Sequence, residues 1–374
     1  MEDRKRVRVL VLWADPDAEN LGLQALAAGA RLAATEIWGP CDVVFHTHNT
    51  AGTPLTRLAA QRDLAGRRGG MTEYFKTFNV ILDTGGGDSF TDIYGLRRLL
   101  LMKYVRYAAK KARRPVVMTP QTVGPFETRV GKMVGKSMLR GCAFVCTRDP
   151  ESAAYARKLG RQADVESTDM AFALGKLRRS QLYDVVINVS GLLWNPNPHV
   201  DYLGYRSSVI ELIEELSKRG RRISLLAHVL SSNLMDNDVP AVEAAASASG
   251  ISVDVLIPRD LADVRRILAS TEVLIGSRMH SSINALAVGT VAIPWSYSRK
   301  FAPLMASIGW DCTVDLRSGL DPVAETLGLL GSTNFGNLQE SVLSVNDRAD
   351  AMIRSFTGSP KWSSISDAMN GASV

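Results

Sequence analysis

Short apolar runs alternate with longer helical patterns along this chain, and the alternation runs through twice. In the first pass Val7–Trp13, Asp42–His46, Asn79–Asp83, Pro115–Met118 and Cys142–Cys146 read as strands. Leu23–Thr35, Tyr94–Lys111, Arg129–Leu139 and Glu151–Leu159 read as helices, the last closing at Gly160. A polar bridge, Arg178–Gln181, then precedes a second pass. Its strands are Asp184–Val189, Arg222–Ala227, Val253–Leu256, Val273–Gly276 and Val291–Pro294; its helices are Ser208–Lys218, Val239–Ser249, Leu261–Ser270 and Ser281–Val288. Strands separated by helices imply a parallel sheet covered on both faces, and 374 residues exceed one ordinary core. The expected architecture is α/β, with two doubly wound Rossmann-like domains at 1–177 and 178–331. A tail, 332–374, carries one helix, Val342–Phe356, that packs back on the body. Doubly wound sheets hold ligands beyond the carboxyl ends of their strands, so two in series predict a site in a cleft between facing domains.

The formal net charge is +6, from Lys and Arg scattered along the sequence. That excess suits a small anionic substrate or peripheral contact with an anionic membrane surface. The basic residues have no aromatic interleaving and no recognition motif, which argues against nucleic acid. The spacing of Cys41, Cys142, Cys146 and Cys312 is not that of a zinc site, and so few cysteines point to a reducing compartment. The basic start, Met1–Arg8, leads into an apolar run broken by Asp15 and Asp17, which reads as a strand and not a signal peptide. No run approaches the ~18 apolar residues of a membrane span. The expected location is cytoplasmic, with the inner face of the membrane within reach. The sequence has no HExxH, DxD, GxSxG or paired CxxC, so neither a metal, nor a cofactor, nor a serine nucleophile is expected.

The chemistry concentrates just after strands. Ser277-Arg278-Met279-His280-Ser281-Ser282 follows an apolar run and opens a helix, and Lys300 comes about twenty residues later. Backbone N–H groups and the dipole favour an anion at such a helix start. His280, with Arg278 and Lys300 as neighbours, suits a group that donates a proton when an anionic substrate is bound; its bland reading is a capping or core histidine. Arg148, after another strand, grips an anion through its planar fork or pairs at the surface with Asp149 or Glu151. Asp149 before Pro150 reads as an N-cap in either case. Gly85, Gly86 and Gly87 follow a strand and allow an anion nest of successive N–H groups, or simply a tight turn. Asp169 either accepts from a sugar hydroxyl or caps the segment Met170–Leu174.

Taken in order, these motifs resemble the polysaccharide pyruvyl transferase family over about Val7–Phe301. Gly85-Gly86-Gly87 is similar to its glycine motif and Gln121-Thr122-Val123-Gly124-Pro125 to its Gln/Gly-Pro loop. Arg148-Asp149 with Ser152, Ser167-Thr168-Asp169, and Ser277-Arg278-Met279-His280 with Lys300 resemble the rest. Where the family often has Asn-x-Gly-Asp in its first loop, Asn20-Leu21-Gly22 is followed here by Leu23. The resemblance implies a GT-B-like fold and transfer of pyruvate from phosphoenolpyruvate, as co-substrate, to two hydroxyls of a sugar acceptor, lipid-linked or not, giving a cyclic ketal. It places His280, Arg148, Lys300 and Arg278 in catalysis, and Gly85, Gly86, Gly87, Asn20, Gln121, Asp169 and Ser277 in substrate binding. Phosphoenolpyruvate carries about three negative charges near neutral pH, so its site needs several cations. Two alternatives stay open on sequence grounds: a GT-B glycosyltransferase using a nucleotide sugar, and a non-catalytic glycan-binding member.

Overall fold

The computed structural model describes residues 6–47, 53–67, 69–231 and 235–371. The chain forms two compact units. One comprises Met1–Pro16, Leu26–Ala173 and Ala351–Val374; the other comprises Asp17–Ala25 and Leu174–Asp350.

In chain order the first part runs β1 (Val7–Leu12), α1 (Leu21–Trp38), β2 (Cys41–His46), α2 (Arg57–Leu64), α3 (Met71–Lys76), β3 (Val80–Asp83), α4 (Leu96–Lys111), β4 (Val116–Gln121), α5 (Arg129–Arg140), β5 (Phe144–Thr147), α6 (Pro150–Lys158) and β6 (Val165–Glu166). The strands form one sheet in the order β2-β1-β3-β4-β5-β6, each pair parallel. Strands β3, β4 and β5 are buried along their whole length, as helices on both faces require. The strand order reverses between β1 and β3.

The second part runs β7 (Tyr183–Asn188), α7 (Gly191–Trp194), α8 (Tyr202–Lys218), β8 (Ile223–Leu226), α9 (Asp238–Ser249), β9 (Asp254–Leu256), α10 (Leu261–Ala269), β10 (Thr271–Gly276), α11 (Met279–Ala287), β11 (Val291–Ser296), α12 (Phe301–Ser307), β12 (Val314–Asp315), α13 (Pro322–Leu329), α14 (Ser332–Thr357) and α15 (Lys361–Gly371). Its sheet, β12-β11-β10-β7-β8-β9, is also parallel and reverses between β7 and β10. Two doubly wound Rossmann-like units are therefore present, as expected from the alternation.

Element limits depart from the sequence reading for local reasons. Helix α11 starts at Met279 and not at Ser281, because Arg278 is extended and forms the N-cap; His280 therefore lies in the first turn. Asp149 caps α6, its Oδ1 accepting from Ser152 N at 2.7 Å, and Pro150 occupies the first helical position. The tail holds two helices and not one. Its residues up to Asp350 pack with the second unit and those from Ala351 onward with the first. The segment Asp17–Ala25 counts with the second unit, although it precedes most of the first: Asn20 bridges Val229, Leu21 N donates to His228 O at 3.2 Å, and Leu230 N donates to Glu19 O at 2.8 Å. No helix among the described residues is long and apolar enough to cross a membrane.

Candidate functional site

In the second unit the predicted residues gather where β7 and β10 end, the point of strand-order reversal at which doubly wound sheets bind ligands. Asn188, the last residue of β7, is buried and ties the two strand ends together. Its Oδ1 accepts from Arg278 N at 2.8 Å and from Ser281 Oγ at 2.9 Å, and its Nδ2 donates to Leu226 O at 2.9 Å. Ser277 is also buried. Its Oγ accepts from Tyr205 OH at 2.8 Å, and Tyr205 OH accepts from Ser190 N at 3.0 Å. Burial pushes the Tyr205 phenol well above its ordinary value, so it stays a hydroxyl.

Arg278 is not an open cation. Its Nη2 lies 2.6 Å from Asp238 Oδ1, its Nε is 3.1 Å from the same oxygen, and Nη2 also donates to the Asp236 carbonyl. Asp238 in turn accepts from Gly191 N at 2.8 Å and from His228 N and Val229 N, both at 3.0 Å. This carboxylate pins the starts of α7 and α9 and the end of β8 around the guanidinium. Sequence reasoning missed Asp238, whose only signal was its place at a helix start.

His280 leans on the first loop. Asn20 Oδ1 accepts from Gly22 N at 2.9 Å, and a Cβ placed on Gly22 would meet His280 Nδ1 at 2.6 Å. Asn20 and Gly22 thus form the wall behind the imidazole. His228, at the end of β8, is fully buried, and its Nε2 has no hydrogen-bond partner among the described residues. Burial first, then the nearby His280 and Arg278, push the His228 pKa down to about 3, so its ring is neutral at working pH. Lys300 is half-buried just before α12. Burial and then the Lys300 charge lower the pKa of His199, whose ring lies 5.5 Å from that of Tyr297.

The first unit holds the other group. Arg148 is fully buried and pairs with neither Asp149 nor Glu151, correcting the surface alternative. Its Nη1 meets Asp169 Oδ2 at 2.9 Å and its Nε donates to Thr122 Oγ1 at 2.8 Å, while Nη2 has no partner among the described residues. Asp169 fills its second oxygen by accepting from Ala171 N at 3.0 Å, so it both caps the short 3-10 turn Met170–Leu174 and neutralises Arg148. Gln121 Nε2 donates to Asp83 O at 2.6 Å.

Gly85, Gly86 and Gly87 all have positive φ, at 55°, 60° and 80°. A Cβ on Gly85 would sit 1.8 Å from Gln121 Oε1, so a larger residue would have to displace the Gln121 amide and also adopt a left-handed backbone. Of the two readings of this loop, the hydrogen bonds present are those of a tight turn. Gly85 N donates to Asp83 Oδ1 at 3.0 Å, Gly86 N to Thr84 Oγ1 at 3.2 Å and Gly87 N to Thr84 O at 2.9 Å, so the three amides are used within the turn. Asp83 is itself held by Arg106 at 2.6 Å. Among the described residues no cluster of three or more His, Cys, Asp or Glu could hold a metal ion.

The family described as polysaccharide pyruvyl transferase matches residues 57–299, which takes in Arg148, Asp169, Arg278 and His280 and stops one residue short of Lys300. No curated protein sequence matches the chain. Among solved structures, sucrose-phosphate synthase from Thermosynechococcus elongatus is similar at 12% identity, with 98% of each chain covered and a TM-score of 0.56. A glycosyltransferase from Rickettsia africae is similar at 10% identity, covering 96% of this chain and 99% of that one, with a TM-score of 0.55. Anabaena Alr3699/HepE, solved in complex with UDP-glucose, is similar at 12% identity, covering 98% and 99%, with a TM-score of 0.51. At these identities the likeness is one of fold, that of the GT-B glycosyltransferases.

Proposed function

The chain belongs to the polysaccharide pyruvyl transferase family, and from that premise we propose that it moves pyruvate from phosphoenolpyruvate onto two hydroxyls of a sugar in a glycolipid or polysaccharide precursor. The product is a cyclic ketal and the by-product is inorganic phosphate. His280 gives a proton to C3 of the enol while one sugar oxygen attacks C2. The C2–O bond to phosphate then breaks as the second oxygen attacks C2. Of the two hydroxyl protons, one restores the imidazolium and the other leaves with phosphate.

The observation that supports this assignment is the setting of His280. It lies in the first turn of a nine-residue helix at the strand-order reversal, backed by Gly22. Its neighbour His228 is buried and held neutral, which leaves that imidazole unsuited to give up a proton. Arg278, already bound to Asp238, is read as a positioning residue that fixes the backbone of the loop carrying His280. Lys300 and Arg148, the latter through Nη2, are assigned to the phosphate and carboxylate. Ser277 and Asn20 support the loop, while Gln121, Asp169 and the Gly85–Gly87 turn shape the acceptor side.

Incubation with labelled phosphoenolpyruvate and a glycan extract tests the reading. The expected product gains the mass of pyruvic acid less one water. His280→Ala is expected to lower that turnover by about 10²-fold or more while leaving the circular dichroism spectrum unchanged. Undiminished turnover in the variant removes His280 from the mechanism. A melting temperature raised by UDP-sugars but not by phosphoenolpyruvate would favour nucleotide-sugar transfer instead.

A further inference from the structure

We propose that the exposed face of α4 and α5 in the first unit is a docking surface for a bilayer bearing anionic phospholipid headgroups. Neither helix contains an Asp or a Glu, although the whole chain has 38 acidic residues. Each buries one side, with Leu99, Met102 and Val105 on α4 and Val134, Met138 and Leu139 on α5. The opposite side of α4 presents Leu100, Lys103, Tyr107 and Lys110, at steps of three and four residues; that of α5 presents Arg129, Met133, Lys136 and Arg140 in the same rhythm.

Two features of this face point to lipid. The first is charge without partners: among the described residues Lys103, Lys110, Lys136 and Arg140 form no ion pair, and an anionic surface supplies what the protein does not. The second is exposed apolar bulk set among those charges. Met133 is 69% exposed, Tyr107 56%, Val130 47% and Leu100 46%. A phosphodiester backbone would use the lysines but has no use for Met133, Val130 and Leu100. A bilayer interface uses both, taking the apolar side chains into the headgroup–acyl boundary. The two helices pack together, and between them lies a recess of about 360 Å³ lined by Lys110, Met133, Lys136, Ser137, Arg140 and Gly141. Three cations around one recess with a thioether at its wall match a phosphate headgroup with its acyl chain beginning alongside. The inference does not rest on the ketal chemistry, because none of these residues takes part in it.

Flotation of the full chain with vesicles tests it. Vesicles containing phosphatidylglycerol are expected to carry the protein at low ionic strength, and vesicles of phosphatidylcholine alone are not. Lys110→Glu/Lys136→Glu/Arg140→Glu should cut the bound fraction by about 10-fold, and Tyr107→Ser/Met133→Ser by a smaller, several-fold factor at unchanged charge. Both variants change exposed side chains and should keep the parent's melting temperature, so the readout is independent of turnover. Three results would each overturn the proposal: failure of the parent to float with anionic vesicles, flotation of the charge-reversed variant like the parent, or indifference to the Tyr107/Met133 change together with equal affinity for duplex DNA.

Discussion

A single missing side chain sets the position of the candidate acid. Gly22 has an ordinary φ, so its need is steric: the imidazole of His280 occupies the space a Cβ would take, with Nδ1 at 2.6 Å. Gly22→Ala is therefore expected to push the ring from its place and lower ketal-forming turnover by about 10²-fold, the usual consequence of roughly 1 Å of misplacement. The fold should persist, since Gly22 lies in the first turn of α1, whose backbone alanine can adopt. The labelled phosphoenolpyruvate assay reads the first effect and thermal melting the second; unaltered turnover would mean that the wall behind His280 is irrelevant to its role. At this scale the chain was partly legible. Arg148 and Asp169 stand out separately because each follows a strand, but nothing in a separation of 21 residues says that one neutralises the other. Asp238 was illegible because its chemistry lies in its partners, Arg278 and three backbone N–H groups, and not in its neighbours along the chain.

Among elements, the clearest dependence is that of the strand ends on the start of α9. Asp238 there gathers α7, β8 and the Arg278 guanidinium with one carboxylate. Asp238→Ala would leave that largely buried cation without its counter-ion and three N–H groups without an acceptor. A loss of about 3–5 kcal/mol is expected, with Asp238→Asn costing less because it still accepts. Native-state hydrogen exchange of the α9 and β10 amides measures it; protection equal to that of the parent would show the ion pair to be dispensable. Strands and long helices were readable from their periodicity, since burial on both faces demands continuous apolar runs. The short elements α2, α3, α7, α12 and α13 were not: the longest of these has 8 residues, about two turns, too few to establish a repeat.

At the scale of the whole molecule, the division into two doubly wound units followed from the restart of the pattern, but their membership did not. The C-terminal segment completes the first unit: the Trp362 ring stacks on Phe144 of β5 at 4.6 Å and 7°, meets Trp38 edge-on at 5.5 Å, and donates from Nε1 to Phe356 O at 2.7 Å. Trp362→Ala is expected to cost about 3–5 kcal/mol. In hydrogen exchange the loss should fall on β5 and α15, leaving β7 and β10 as protected as before; an equal loss in both sheets would contradict the assignment of the segment to the first unit.

Local spacing along the chain was enough to dictate an α/β fold of two parallel sheets and to put Arg148, Arg278 and His280 just past strand ends, because periodicity and strand termini are properties of neighbouring residues. Which groups meet there was settled only on folding. The Asn20–Gly22 segment, itself part of the second unit, backs His280, Asp238 takes the charge of Arg278, and Asp169 takes that of Arg148. Such partnerships join residues far apart in sequence, where charge and shape are matched in space and leave no mark on the order of amino acids.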